Sequence, residues 1–171
     1  GTNISGIYEL LFYDFSNENL DTILSHQNWW SSGIPVQVAW DPSGRYLFII
    51  KDTRLYIGDY SGGWYDVGLP PLYNIATDEN THINSAAWSP CGGYIVTGAI
   101  DGTVKIYLNT GAALTLKDSA DIGTEVYSVD WIGNFIVAGG DPTDDNKQVQ
   151  VYEFDPLTET ISLLEQSQKD F

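Results

Sequence analysis

Apolar and polar residues alternate along most of the chain, and apolar positions seldom recur every three or four residues. Short runs rich in Val, Ile, Tyr and Trp are separated by clusters of Gly, Pro, Asp, Asn and Ser. Alternation is typical of half-buried β-strands, and the intervening clusters are typical of turns. The pattern therefore predicts an all-β protein with almost no helix.

Three segments share one pattern and indicate an internal repeat. They are PVQVAWDPSGRYLFII (35–50), INSAAWSPCGGYIVTG (83–98) and VYSVDWIGNFIVAG (126–139), with Trp40, Trp88 and Trp131 at the same point in each. Each is followed by one more strand pattern, RLYIGDY, TVKIYLN or QVQVYEFD, and a fourth copy of that strand, YELLFYDF, opens the chain. Matching positions in this strand hold Tyr13, Tyr107 and Tyr152. A repeat of roughly 40–50 residues with four strands is typical of a propeller blade.

The middle copy, A-W-S-P-x-G-x-Y followed by the hairpin Asp101-Gly102 and V-K-I-Y, resembles the WD-repeat β-propeller family. The resemblance covers almost all of residues 1–171. It implies four-stranded antiparallel blades and a rigid, non-catalytic platform on which other proteins assemble. The family's Trp-Asp and Gly-His pairs are absent, so we expect Trp40, Trp88 and Trp131, packed between blades, to carry more of the stability.

Counting strands predicts an incomplete ring. The predicted blades are residues 20–60, 64–109 and 113–155, with an orphan outer strand at 7–15 and an orphan inner strand at 159–166. Propellers have about four to eight blades, because each sheet covers its faces only against two neighbours. We therefore expect either part of a longer polypeptide, which the absence of Met favours, or a building block whose copies associate.

The net charge of the chain indicates which classes of partner molecule it can bind. Seven Lys and Arg residues face 23 Asp and Glu residues, a formal net charge of -16. Such a surface repels nucleic acid and anionic membranes and favours protein partners with basic surfaces. The single Cys91 excludes an intramolecular disulfide and a cysteine-based zinc cluster, and it fits a reducing compartment. An intracellular soluble protein is therefore favoured.

No motif for catalysis or phosphate binding is present, so we expect no enzyme and no cofactor. The acidic loop 139–147 contains Asp141, Asp144 and Asp145, and carboxylates are the ligands that calcium prefers. The loop lacks the regular spacing of a calcium-binding loop, and its residues are ordinary turn formers. We therefore predict no metal site there, and calcium binding by the loop stays an open alternative.

The longest connections are 27–33, 69–82 and 139–147, and strand alternation places all three on one face of the blades. Aromatic residues ringed by charge are typical of protein-recognition surfaces. The predicted partner-binding residues are Trp29, Trp30, Tyr73, Asp144 and Asp145. Three alternatives stay open: the two tryptophans cap the underside of a blade, the chain is a carbohydrate-binding module or glycan-active enzyme, or it is a self-assembling building block.

Overall fold

The structure is a computed structural model that describes residues 9–14, 21–27, 35–60, 73–75, 81–141 and 149–166. It divides into two units, Gly1–Ile34 and Pro35–Phe171. Every regular element in the described ranges is a β-strand. The same ranges contain no helix that could cross a membrane. The strands are β1 (Glu9–Asp14), β2 (Asp21–Gln27), β3 (Pro35–Trp40), β4 (Tyr46–Lys51), β5 (Arg54–Asp59), β6 (Tyr73–Ile75), β7 (Ile83–Trp88), β8 (Tyr94–Ala99), β9 (Thr103–Asn109), β10 (Leu114–Asp121), β11 (Val126–Ile132), β12 (Phe135–Gly140), β13 (Val149–Asp155) and β14 (Thr160–Gln166).

The first unit contains a two-stranded antiparallel sheet, β1 with β2. The second unit contains three four-stranded sheets, each made of strands consecutive in the chain: β3 to β6, β7 to β10 and β11 to β14. All neighbouring strands are antiparallel. We call these sheets the first, second and third blades. The prediction of an all-β protein with four-stranded antiparallel blades that do not close a ring is confirmed.

The blade boundaries predicted from the sequence differ from this grouping by one strand. The predicted blades 20–60, 64–109 and 113–155 each begin with a strand that the structure pairs with the preceding sheet, as β10 pairs with β9. The predicted orphan strand 159–166 is β14, which pairs with β13, and the predicted orphan strand 7–15 contains β1, which pairs with β2.

A tight turn explains this grouping at β9 and β10. The main-chain N–H of Thr110 donates to Ala113 O at 3.0 Å, and Gly111 adopts a φ of 79°, a left-handed conformation that glycine tolerates best. Such a hairpin keeps both strands in one sheet. The alternation of apolar and polar residues is the same whichever sheet a strand joins. The sequence pattern therefore could not decide to which sheet β10 belongs.

The core lies between neighbouring blades. One cluster joins the first and second blades through Phe48, Ile50, Leu55, Ile57, Ile83, Ala86, Trp88 and Ile95. The other joins the second and third blades through Val96, Val104, Ile106, Ile122, Val126, Val129, Trp131, Ile136, Ala138, Tyr152 and Phe154. The second blade is therefore buried on both sides, and burial of apolar area against each neighbour stabilises the stack.

The repeated tryptophans have different surroundings. Trp88 is buried against Phe48, with ring centroids 5.9 Å apart, and its Nε1 donates to Ala39 O of the first blade at 3.1 Å. Trp131 is buried in the cluster between the second and third blades. Trp40 is 39% exposed and contacts Tyr60 edge-on. The repeated tyrosines Tyr107 and Tyr152 are buried, whereas the side chain of Tyr13 lies outside the described residues.

Candidate functional site

The partner-binding residues predicted from the sequence fall almost wholly outside the described residues. This applies to Trp29, Trp30, Asp144 and Asp145. Tyr73 is in β6, where its main chain lies opposite Ile57, and its side chain is outside the described residues. The predicted connection 69–82 therefore contains a strand, and the five-residue site stays a prediction.

The acidic loop is described only as far as Asp141. In the described ranges, no group of three or more His, Cys, Asp or Glu side chains could hold a metal ion. Asp144 and Asp145 lie outside those ranges, so calcium binding by the loop 139–147 stays untested.

A groove opens between the second and third blades on the side where the β7–β8, β11–β12 and β13–β14 turns meet. Its volume is about 340 Å³. Its walls are mostly apolar and come from the S-P-C-G turn, the W-I-G-N turn and the end of β13. The lining residues are Ser89, Pro90, Cys91, Tyr94, Trp131, Gly133, Asn134, Phe154 and Pro156. We call this the inter-blade groove.

Three aromatic rings form the floor of the inter-blade groove. Phe154 contacts Tyr94 and Trp131 edge-on, with ring centroids 4.9 Å and 5.1 Å apart. Edge-to-face contacts of this kind stabilise a fixed arrangement beyond the area they bury. Trp131 also donates from Nε1 to Gly133 O at 3.1 Å. The floor is therefore held in place by packing and by a hydrogen bond.

The turn that lines the other wall is ordered by Ser89. Its Oγ accepts a hydrogen bond from Tyr94 N at 2.9 Å, and its carbonyl oxygen accepts one from Gly92 N at 2.9 Å. Gly92 has a φ of 71°, so the chain can reverse there without the strain of a side chain. The exposed Cys91 is held at the mouth of the groove.

One carboxylate bonds to the aromatic floor through Tyr94. The Tyr94 hydroxyl donates to Glu159 Oε1 at 2.9 Å, and Lys117 Nζ donates to Glu159 Oε2 at 2.6 Å. Burial, and then the bond to Glu159, raises the pKa of Tyr94. The bond from Lys117 lowers the pKa of Glu159, and main-chain and Thr158 hydrogen bonds lower the pKa of Asp155. Both carboxylates are therefore ionised at neutral pH.

A second, polar depression of about 390 Å³ meets the inter-blade groove. Asn134, Phe154 and Pro156 line both. The remaining residues of the polar depression are Glu153, Asp155, Thr160 and Ser162. Glu153 stands opposite Phe135 in the strand register, so the polar depression lies on the outward side of the third blade, whereas the inter-blade groove lies on the side that faces the second blade.

The outward side of the third blade is a second candidate surface. Ile132, Phe135, Val137 and Val149 are exposed on it, while the alternate residues Ile136 and Ala138 are buried against the second blade. No described residue covers these four apolar side chains. We call them the open face.

A hydrogen bond repeats between the first strands of successive blades. Ala86 N donates to Gln37 Oε1 at 2.9 Å, and Val129 N donates to Ser85 Oγ at 3.2 Å. In both cases the acceptor stands three residues before the tryptophan of one blade, and the donor stands two residues before the tryptophan of the next. The third blade has Ser128 at the acceptor position, and Ser128 is exposed.

Comparison with known proteins agrees with this architecture. Residues 71–107 match the family model described as "WD domain, G-beta repeat". This segment is therefore similar to one WD repeat. The matched WD repeat begins before β6 of the first blade and ends in β9 of the second, so the sequence repeat is offset by one strand from the hydrogen-bonded sheet. No curated protein matches the chain in sequence.

Solved structures share the fold. A chain of the Mitotic Checkpoint Complex has a TM-score of 0.65 and 18% identity over 86% of this chain and 44% of its own length. A protein from Lactobacillus plantarum has a TM-score of 0.71 and 16% identity over 94% of this chain and 49% of its own. The beta-propeller domain of Myceliophteria thermophila Cps50 (Swd1) has a TM-score of 0.55 and 17% identity over 78% of this chain and 39% of its own. The chain thus spans less than half the length of these structures.

Sequence reasoning missed the inter-blade groove. Its residues come from turns that the repeat pattern marks only as compact, S-P-C-G and W-I-G-N. One signal was available, because aromatic Tyr94, Trp131 and Phe154 stand next to or near those turns. Their contact depends on how two sheets pack, which spacing along the chain does not show.

Proposed function

We propose that this chain is a non-catalytic protein-interaction scaffold that acts as part of a larger propeller or a multi-subunit assembly. The open face of the third blade is the observation that carries the proposal. Apolar side chains that lie together on one sheet face indicate a surface that another protein element covers. One of the similar structures, a chain of the Mitotic Checkpoint Complex, is itself a component of a protein assembly.

The occupant that fits the open face is a further four-stranded blade. In the second blade, Val96 and Val104 are fully buried beneath the third blade. Their register equivalents on the open face, Val137 and Val149, are 38% and 39% exposed. The two sheets match residue for residue at these positions. A blade covers the valines of the second blade, so a blade also fits the equivalent valines of the third blade.

Ser128 supports the same occupant. If a further blade packs as the third packs on the second, its main-chain N–H two residues before its tryptophan faces Ser128, as Val129 N faces Ser85 Oγ. The hydroxyl at Ser128 is of the same chemical type as the hydroxyl at Ser85. The open face therefore carries both the apolar and the polar contact that join the second and third blades.

Position-specific photo-crosslinking tests this proposal in cells that express the whole native polypeptide. A photoreactive phenylalanine replaces Phe135 on the open face, and the control carries it at Leu157, which is 92% exposed on a turn. We expect crosslinks from position 135 to a β-blade of the same polypeptide, of a second copy or of another protein, identified by mass spectrometry. No crosslink at position 135 above the Leu157 control would overturn the proposal.

The loop residues predicted from the sequence remain a separate part of the proposal. We propose that Trp29, Trp30, Tyr73, Asp144 and Asp145 contact a partner with a basic surface, because the chain carries a net charge of -16. A Trp29→Ala, Trp30→Ala double variant is expected to bind a purified partner more weakly than the unchanged chain. Equal binding would remove these tryptophans from the site.

The carbohydrate-binding and glycan-active alternatives stay predictions, which a glycan array tests.

A further inference from the structure

We infer that β3 of the first blade docks a two-stranded antiparallel β-hairpin of a partner polypeptide, which covers Val38 and Trp40. The hairpin carries Ser or Gln in its first strand and glycine in its second strand, at positions defined below. We call Val38 and Trp40 the β3 strip. The inference rests on the proposed scaffold function and gives it a second surface. This surface is the side of the first blade that faces away from the second blade, so it is distinct from the open face.

The β3 strip is exposed where its equivalents in the other blades are buried. Val38 and Trp40 are 47% and 39% exposed. The residues at the same two positions of the second and third blades are at most 8% exposed: Ala86, Trp88, Val129 and Trp131. Those four side chains belong to the clusters that join each blade to the preceding one. The β3 strip therefore has the composition of a surface over which further strands pack.

The first two strands of the preceding sheet contact the equivalents of the β3 strip. Trp88 packs against Phe48 of β4, and its Nε1 donates to Ala39 O of β3. At the next junction, Val129 N donates to Ser85 Oγ of β7. Two consecutive antiparallel strands form a β-hairpin. A hairpin is therefore the smallest element that supplies these contacts.

Burial changes abruptly between β3 and β4 on this side of the first blade. Trp40 pairs with Leu47, and Val38 pairs with Ile49. Directly opposed residues of neighbouring strands point to the same side of a sheet. Leu47 and Ile49 are nevertheless only 3% and 0% exposed. A complete four-stranded blade would also lie over β4, whose side chains are already buried, so a hairpin fits the exposed width better.

The size of Val38 predicts a glycine in the second strand of the hairpin. Val129 stands at the position of Val38 in the third blade, and a Cβ added at Gly98 of β8 would lie 2.9 Å from Val129 Cγ1. At the junction of the first and second blades the sizes are reversed, with Ile50 in β4 and Ala86 in β7. A large side chain on one blade thus meets a small one on the other. Because Val38 is large, the hairpin needs glycine at the position of Gly98.

The main chain at Val38 predicts a polar residue in the first strand of the hairpin. Ala86 N donates to Gln37 Oε1, and Val129 N donates to Ser85 Oγ. Val38 stands at the same position as these two donors, two residues before the tryptophan. Ser or Gln in the hairpin, at the position of Ser85, can accept the same bond from Val38 N.

The probe for this inference is the chain's own β7–β8 hairpin, made as a backbone-cyclised peptide of residues 83–99. It has Ser85 and Gly98 at the two predicted positions, and its first and last residues are opposite each other in the register. Cyclisation holds the hairpin in its bound shape, and Cys91→Ser prevents oxidation. We expect a Kd on the order of 100 μM or tighter for the full chain, measured by fluorescence anisotropy. Absence of saturable binding would overturn the inference.

Two changes in the peptide test the predicted glycine. Gly98→Val places a side chain where Val38 packs, whereas Thr97→Val adds the same residue type on the other side of the strand. We expect the Kd to rise about tenfold or more for Gly98→Val, as for loss of a central contact, and to stay unchanged for Thr97→Val. Neither change alters the chain, so its folding cannot cause the difference. Equal affinities would overturn the inference.

Two changes in the chain locate the bound hairpin. Val38→Asp and Val137→Asp each place a carboxylate at an exposed valine, the first on the β3 strip and the second on the open face. Circular dichroism checks the folding of both variants. We expect Val38→Asp to raise the Kd about tenfold or more and Val137→Asp to leave it unchanged. Weaker binding to Val137→Asp alone would overturn the inference. The crosslinking from position 135 does not involve the β3 strip, so it tests the scaffold function independently.

Discussion

The second and third blades have the same strand order and similar sequences, but they differ in how much of each sheet is buried. In β8 every residue after Tyr94 is buried, whereas β12 alternates between buried and exposed positions. Val96 is fully buried, and its equivalent Val137 is 38% exposed. The two positions hold the same residue type, so residue type does not explain the difference. The third blade covers Val96, whereas no described residue covers Val137.

The close approach of the third blade to the second depends on one glycine. A Cβ added at Gly98 of β8 would lie 2.4 Å from Val126 Cγ1 and 2.9 Å from Val129 Cγ1. Only a residue without a side chain lets β11 reach this position. The difference between the blades is therefore specified at single residues. Three predictions test it, and a fourth concerns two buried tyrosines.

The largest effect is expected when a charge is placed at the two matched valines. Val96→Asp buries an uncompensated carboxylate between two blades, so we expect the free energy of unfolding to fall by about 4 kcal/mol or more, or folding to fail. Val137→Asp leaves the carboxylate in contact with water, and its cost is expected to be below about 1 kcal/mol. Urea unfolding followed by tryptophan fluorescence measures both. Equal losses would contradict the comparison.

A smaller effect is expected at the glycines. Gly98→Ala forces the second and third blades apart, and overpacking of this kind costs about 1–3 kcal/mol. Gly139→Ala, at the equivalent register position of β12, is the matched control and is expected to change stability by less than about 0.5 kcal/mol. Thermal unfolding of the two variants measures the difference. A larger loss for Gly139→Ala would show that the outward side of the third blade is covered.

The next largest effect on stability is expected at Ser85 and Ser128, the serines at the acceptor position of the repeated hydrogen bond. Ser85→Ala leaves the buried Val129 N–H without its acceptor, and the expected cost is about 1 kcal/mol. Ser128→Ala removes an exposed hydroxyl and should leave the stability of the isolated chain unchanged. In an assembly that covers the open face, Ser128→Ala should cost as much as Ser85→Ala. Chemical unfolding of the isolated chain and of the assembly compares the two states.

The last effect is absent at neutral pH and is expected only at alkaline pH. Burial, and then the negative charge of Asp121, raises the pKa of Tyr152 to about 12, above ~10 for an unfolded chain. The folded chain therefore keeps the phenol proton where the unfolded chain has lost it. The contribution of Tyr152 to stability is complete below pH ~10 and is lost as pH rises to about 12.

Tyr152→Phe should reduce the decline in stability between these pH values. Burial also raises the pKa of Tyr60 to about 12, so Tyr60 should account for a separate part of this decline in stability. Alkaline unfolding of Tyr152→Phe, Tyr60→Phe and the double variant measures the two parts. A double variant with the slope of the unchanged chain would contradict this assignment.

Much of the fold was predictable from the chain alone. The period of Trp40, Trp88 and Trp131 predicted four-stranded blades, and the A-W-S-P pattern with Asp101-Gly102 predicted the WD-repeat match at residues 71–107. The blade boundaries were not predictable, because the repeat at 71–107 runs from the last strand of one sheet into the next. The inter-blade groove was missed for a related reason, since Tyr94 and Phe154 meet only when two sheets pack.

The sequence by itself determined which residues form strands, where the chain turns and how often the unit repeats. These properties are local, because alternation and turn residues act within a few positions of one another. Only the tertiary structure decided which strand closes each sheet, which of two equivalent valines is buried and where the aromatic rings converge. Those outcomes depend on contacts between residues far apart in the chain, such as Tyr94 with Phe154, and on whether a neighbouring sheet is there to make them.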